Sequence, residues 1–555
     1  PRFADLRASV GANDLSWLWP GLRLSGMRIA ASHDDAPFTL QGEAAIGDIP
    51  LRASGSLGPP RALLVGARAG TPPEPWPVDL AFGAGAATAA FKGRVADVSG
   101  APTGVDLEFA LRVPDLAPLS PLAGRPLPAA RDLSLDARVA ERGPGFAAGA
   151  FLRGLRFTSS AGDAAGDITY AIGQRQGPLG ELASRRFDFD ALLPPPAPPA
   201  PDAAAPTAPP RARSDGRAIP DLPLPLDALR VAQGNLRWTF EELVAGGIPM
   251  RQVLVALAVE DGRGRLDPFL ATLPGGQQLL VRGSADGTVD PPALRVSAQG
   301  GGLDLAPLLA ALRAPQRVAG RLDLDADLHG AGRDLRSVAG GLSGHLGFAL
   351  VDGAFDAALL QGIPAELRRA LVSQAGMGDR IPLHCGALRL QAEDGTARLR
   401  ALLLETGIGR LGGEGGVSLR DEALALRLLP DLRLGGVAVR APVNVAGTLA
   451  APRVGVSPEA AAAAGLGALL SLQQTPDRDL QGLSGVLGGA GAAGGPALPD
   501  CDSQLALARG GRAGAMPSSR PPSGAAAPAA PPAAAPRDLP RQAEEVLRGL
   551  FGRGR

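Results

Sequence analysis

Between Gly320 and Leu449 apolar and polar residues alternate in short runs, each closed by a glycine or an acidic turn. GRLDLDADLHG, GHLGFALVDG, CGALRLQAEDG, ARLRALLLETG and VAVRAPVNVAGTL are successive instances. A period of two puts every second side chain on one face, so each run predicts a β-strand with one apolar face. In the first of them Leu322, Leu324, Ala326 and Leu328 form the inward set. Arg321, Asp323, Asp325 and Asp327 form the outward set and read as a solvated face. Earlier segments such as FTLQGEAAIG, AAFKGRV, GVDLEFALRV and FDFDALL repeat the pattern at intervals of roughly 10–15 residues, the spacing of consecutive short strands. The chain is predicted to be mainly β, an antiparallel sheet with a long apolar surface.

Breaks in the pattern divide the chain. Residues 1–193 form a first β region, and 220–456 a second, with a helical insertion at about 357–376 where Ile363, Leu367, Ala370 and Leu371 recur at helical spacing. Between them, 194–219 is a Pro/Ala-rich segment without the large apolar residues that offset chain entropy, so it is predicted to be disordered. An Ala/Gly-rich helical segment is expected at 457–507 and a disordered tail at 508–540. A short basic amphipathic helix is expected at 541–555, where Val546, Leu547, Leu550 and Phe551 share a face. No stretch supplies the ~18–20 apolar residues of a membrane span. The sequence opens at Pro1, inside a strand pattern and without an initiator Met, so a preceding segment is expected.

Composition sharpens this picture. There are 76 Gly and 54 Pro among 555 residues but only 15 Phe, 4 Trp and 1 Tyr, which favours many short strands and an aliphatic lining. The 55 basic residues equal the 55 acidic ones, so no net field would recruit nucleic acid. Four histidines stand in no metal-binding frame; His384 adjoins Cys385, but neighbours on a strand point to opposite faces, and no metal site is expected. Glycine-rich stretches lack the lysine and the strand-to-helix setting of a phosphate loop. No catalytic constellation is visible, and neither enzymatic activity nor a cofactor is expected. Cys385 and Cys501 are either two free thiols or one bridge, and a bridge requires an oxidising compartment.

The order of motifs resembles the C-terminal region of the AsmA family. The matching features are Cys385 near a short strand, the Asp394-Gly395 turn, the strand from Leu402 to Thr406, the glycine-rich strand from Gly413 to Leu419, the ending from Pro442 to Pro452, and a later cysteine, Cys501, after an acidic residue. The first β region, with PGLRLSGMRIA and PLSPLAGRPLP, is similar to the family's upstream portion. The resemblance implies a bacterial envelope protein anchored by one N-terminal helix in the inner membrane, with its bulk in the periplasm. It also implies kinship with bridge-like lipid transfer proteins, whose sheet curls into a long trough. The Pro/Ala segment departs from the family pattern and leaves open whether the two β regions form one trough.

Together these readings predict a non-enzymatic envelope-biogenesis protein that binds or conducts phospholipid, or another acyl lipid, along an apolar β groove between inner and outer membrane. Its partners would be the inner membrane, through an anchor outside the given chain, and an envelope or outer-membrane protein. The alternative is a structural or regulatory periplasmic scaffold for outer-membrane assembly, without lipid cargo. The candidate lining is Leu322, Leu324, Leu328, Leu346, Phe348, Leu350, Leu388, Leu390, Leu424, Leu426, Leu428, Val443 and Val445. An outer-membrane barrel fits less well, because aromatic girdles are missing and the sequence ends in an Arg-rich helical pattern.

Overall fold

The structure is a computed structural model that describes residues 5–64, 74–124, 126–173, 176–192, 217–311, 314, 316–356, 380–407, 409–434, 437–439, 442–456 and 498–518. The expected helices at 357–376 and 541–555, and most of that at 457–507, lie outside the described residues. Among the described residues twenty-six strands form one sheet. The first six are β1 (Leu6–Val10), β2 (Asn13–Asp14), β3 (Leu22–Ala31), β4 (Phe38–Ile46), β5 (Ile49–Leu57) and β6 (Trp76–Ala84). Next come β7 (Ala87–Asp97), β8 (Thr103–Asp115), β9 (Arg131–Glu141), β10 (Gly149–Ser159), β11 (Gly162–Ala171) and β12 (Gly177–Asp188). The second region holds β13 (Gly234–Ala245), β14 (Ile248–Glu260), β15 (Arg263–Thr272), β16 (Gln278–Asp286), β17 (Ala293–Asp304), β18 (Val318–Ala331) and β19 (Ser343–Asp356). The last are β20 (Arg380–Glu393), β21 (Thr396–Thr406), β22 (Gly409–Ser418), β23 (Ala423–Leu434), β24 (Val437–Val439), β25 (Val443–Thr448) and β26 (Pro452–Val456). Short helices sit on the connections: α1 (Arg61–Leu64), α2 (Ser120–Ala123), α3 (Leu305–Ala311) and α4 (Leu335–Gly340), with α5 (Cys501–Ala508) near the end of the described chain.

From β3 to β23 each strand pairs with the next in sequence, and every pair is antiparallel except β12–β13. β1 and β2 both pair with β3, and β24 and β25 both pair with β23. Antiparallel neighbours need only a hairpin, whereas parallel neighbours need a connection that returns the chain to its starting end. The Pro/Ala-rich segment lies in that connection. The parallel pairing, from Leu179↔Asn235 to Asp188↔Val244, joins the two β regions into a single sheet. Among the described residues the first and last strands do not pair, so the sheet is open.

Turn chemistry agrees with the pairing. Asp261-Gly262 and Asp394-Gly395 carry φ of 51° and 77°, and of 47° and 79°, the geometry of tight hairpins between right-twisted strands. One strand glycine is irreplaceable for a different reason. At Gly344 φ is 122°, and a Cβ would sit 2.0 Å from the Asp327 carbonyl oxygen of the adjoining strand. Gly344→Ala is therefore expected to destabilise the β18–β19 ladder by more than ~1 kcal/mol, read as faster amide exchange in those two strands.

Two expectations about disorder are corrected. Residues 217–219, assigned to the linker, are pinned: the carboxylate of the buried Glu422 accepts the amides of Ala218 (2.6 Å) and Ile219 (3.0 Å). Residues 508–518, assigned to the tail, lie on the sheet, with Ser518 donating to Asp352 at its far end (2.8 Å). In both places a nonlocal carboxylate replaces the solvent that low complexity implied.

Candidate apolar groove

Directly paired residues share a face of the sheet, so the register itself tracks that face from strand to strand. Leu322 stands opposite Leu350 and Leu324 opposite Phe348; Leu346 and Phe348 stand opposite Leu390 and Leu388. Leu388 meets Leu402, Leu404 meets Leu411, and Gly413 meets Leu428. Leu428 and Leu426 then face Val443 and Val445. Leu328 faces Val296 on the other side, which leads toward the N-terminal strands. All the candidate lining positions therefore occupy one uninterrupted face. Each of them is half-buried, neither sealed as a closed core would make it nor fully open to water.

The same face continues through the start of the second β region by pairs such as Phe269↔Val281 and Trp238↔Val255, and through the first by Leu152↔Ile168, Phe91↔Phe109 and Leu40↔Gly55. It is more aromatic than expected: Trp238 stacks on Phe240 at 4.7 Å, and Phe91 and Phe109 lie 4.8 Å apart. Aromatics are scarce in the composition, but the register gathers them on this side. Several lining side chains reach well into solvent, among them Phe82 (39% exposed), Tyr170 (40%), Leu257 (43%) and Val296 (37%).

Near one rim this face is filled by its own residues. Phe187 of β12, Phe240, Val253 and Leu303 are buried in one apolar cluster, Leu322 and Leu324 of β18 lie at its edge, and Leu308 of α3 packs against it. Elsewhere the lining stays half-exposed.

The opposite face carries polar ladders. Arg295 pairs with Asp327 at 2.7 Å and Arg263 with Asp286 at 3.0 Å. The Arg295 guanidinium holds the Asp327 carboxyl below its ordinary range; the Thr288 hydroxyl, then Arg263, bring Asp286 down to about 2. Such exposed pairs add little stability and serve mainly to keep this face wet.

Across β18–β21 that outer face is covered instead. Cys385 and Cys501 form a disulfide, and Leu505 and Ala508 of α5 pack on Ala349, Val351, Ala387 and Leu403. Beyond the helix Arg509 binds Asp323 at 2.6 Å, with only 4% of its side chain exposed. Asp325 takes Arg389 (3.2 Å), Arg512 (3.0 Å) and His345 (3.2 Å). Asp323 and Asp325, read as solvated, are therefore buried partners of a C-terminal clamp. Alternation placed them correctly on the outer face, but nothing local showed what would cover it. The one available signal was the cysteine pair: a bridge to Cys501 brings Arg509 and Arg512 beside β20.

Two comparisons with known proteins find one family. Residues 154–402 match the model of the AsmA family. The chain is also similar to the AsmA family protein YhjG of Escherichia coli (strain K12), at 24% identity over 433 residues, which is 76% of this chain and 62% of the relative. The AsmA resemblance read from the motifs is thus found by both comparisons. The chain spans less than two thirds of that relative's length. The motifs from Gly413 to Leu419 and from Pro442 to Pro452 lie beyond the matched family region. No solved structure matches the chain. Among the described residues no helix is long and apolar enough to cross a membrane.

Proposed function

We propose that this chain is a non-enzymatic envelope protein whose sheet curls its apolar face into a trough, binds acyl lipid, most simply phospholipid, along it and conducts it between inner and outer membrane. The observation that carries the reading is the unbroken apolar face on which every candidate lining residue remains half-buried. Exposing a lipid tail to water costs about 0.8 kcal/mol per methylene, on the order of 12 kcal/mol for a sixteen-carbon chain. A concave aliphatic and aromatic surface removes most of that cost and leaves the headgroup in solvent. Followed strand by strand, the ladder is roughly 110 Å long, enough for many lipids in file. A disulfide fits an oxidising compartment such as the periplasm. In this reading the inner membrane and an outer-membrane or envelope protein stand at the two ends of the groove.

The filled stretch around Leu308 favours a second reading, a scaffold without cargo. Lipid extraction and native mass spectrometry of the purified chain separate the two. Retained phospholipid is expected. Replacing both Leu324 and Phe348 with Asp is expected to abolish retention while the β circular dichroism persists, and unchanged retention would remove these residues from the lining.

A further inference from the structure

The chain has four tryptophans, and two of them are spent on a loop tip. Between β2 and β3, Trp17 is 79% exposed, Leu18 61% and Trp19 50%. Consecutive large apolar side chains held in water carry a cost that a monomer normally avoids. Nor is the tip a slack loop. The Leu15 amide donates to the Leu22 carbonyl (2.9 Å) and the Leu22 amide to that of Trp19 (3.0 Å), while the amides of Leu18 (2.8 Å) and Trp19 (3.2 Å) both donate to Leu15. Asp14 accepts the Ser16 amide at 2.9 Å and fixes the entry to the turn. These bonds hold the turn from within, and the apolar side chains are presented outward.

We propose that residues 15–21 form a bilayer-interface anchor that seats the first-strand end of the groove on a lipid surface. The chemistry favours a bilayer over a protein pocket. All three side chains stand exposed on one turn at the rim, and Trp and Leu presented in this way suit insertion into a fluid boundary where an indole keeps its N–H wet and its ring dry. The neighbouring tip on this rim, between β4 and β5, is Gly47-Asp48, and a Cβ on Gly21 would lie 4.0 Å from the Gly47 amide nitrogen. The corner offers Asp14, Arg23 and Asp48 but no basic cluster, so attraction to anionic headgroups contributes little. Binding should therefore occur on zwitterionic membranes and resist salt.

The anchor is independent of whether lipid fills the groove, and its test keeps the two apart. The protein is mixed with phosphatidylcholine vesicles, with and without added phosphatidylglycerol, and assayed by co-sedimentation and tryptophan emission. Trp76 is 9% exposed and the half-buried Trp238 donates to Ser184, so a blue shift on membrane binding reports chiefly Trp17 and Trp19. Both vesicle types are expected to sediment the protein at low and high salt alike. Trp17→Ser with Trp19→Ser should weaken partitioning about tenfold or more, since two aromatic contacts of ~150–250 Å² each are lost. Trp17→Phe with Trp19→Phe should largely keep sedimentation, as should the groove variant carrying Leu324→Asp and Phe348→Asp. Wild-type protein that stays in the supernatant, or a serine variant that sediments equally, would overturn the proposal. So would a tryptophan-dependent dimer that forms without vesicles and shields the tip from them.

Discussion

Asp323→Ala is expected to release the C-terminal clamp. Arg509 is almost fully enclosed, its Nε bound to Asp323 and one terminal nitrogen to the Ala515 carbonyl (2.5 Å), while the other Asp323 oxygen accepts the Gly302 amide at 2.6 Å. Removing the carboxylate leaves a guanidinium in a site that water does not reach, a loss of about 3–5 kcal/mol for a broken buried pair. The segment has an escape: it can lift off the sheet and take Arg509 into solvent, still tethered at Cys501. The predicted signature is therefore local. Amide protection falls steeply across residues 498–518 and tryptic cleavage after Arg509 and Arg512 accelerates, while the ladder far from β18–β21 keeps its exchange rates. Combining Asp323→Ala with Arg509→Leu should recover much of the loss, because no charge is then stranded. A double variant as labile as the single one would show that the pair is not what holds the clamp.

Reduction of the Cys385–Cys501 bridge is the second large effect. The two cysteines are 116 positions apart, and closing a loop of that length restricts the unfolded chain by about 4–5 kcal/mol. Cys501→Ser, or reductant added to the wild type, is expected to lower the denaturant midpoint of the second β region by a corresponding amount. It should also expose Leu505 and the patch formed by Ala349, Val351, Ala387 and Leu403. That patch lies on the face opposite the groove, so lipid retention should persist in the reduced protein. Loss of lipid together with the clamp would mean that α5 braces the curl of the sheet, and the two faces would then not be independent.

These two effects mark the boundary of what could be read in advance. Alternation identified the strands, and since the side-chain period is two, correct phase alone put the residues from Leu322 to Val445 on one side. The Asp394-Gly395 turn was legible because the hairpin demands positive φ at both positions. Asp323 and Asp325 were assigned to the right face and the wrong surroundings, because a carboxylate opposite an apolar stripe looks the same in water as beneath an arginine distant in sequence. Glu422 was just as opaque: its partners, the amides of Ala218 and Ile219, lie more than 200 residues away. The aromatic group around Trp238 was hidden for a related reason, since Phe187 and Trp238 belong to different regions and meet only through the parallel pair.

By itself the sequence determined a one-sided β chain: a dyad pattern, tight turns and too few polar residues on the inner phase for any face but one to seek water. Tertiary structure alone decided that the two regions share a ladder and which parts of each face are covered. The reason is range. Alternation and turn geometry are settled between near neighbours, whereas the joining of the regions and the cover depend on contacts such as Phe187 with Trp238, or Asp323 with Arg509, whose favourable energy appears only after the intervening chain has been placed.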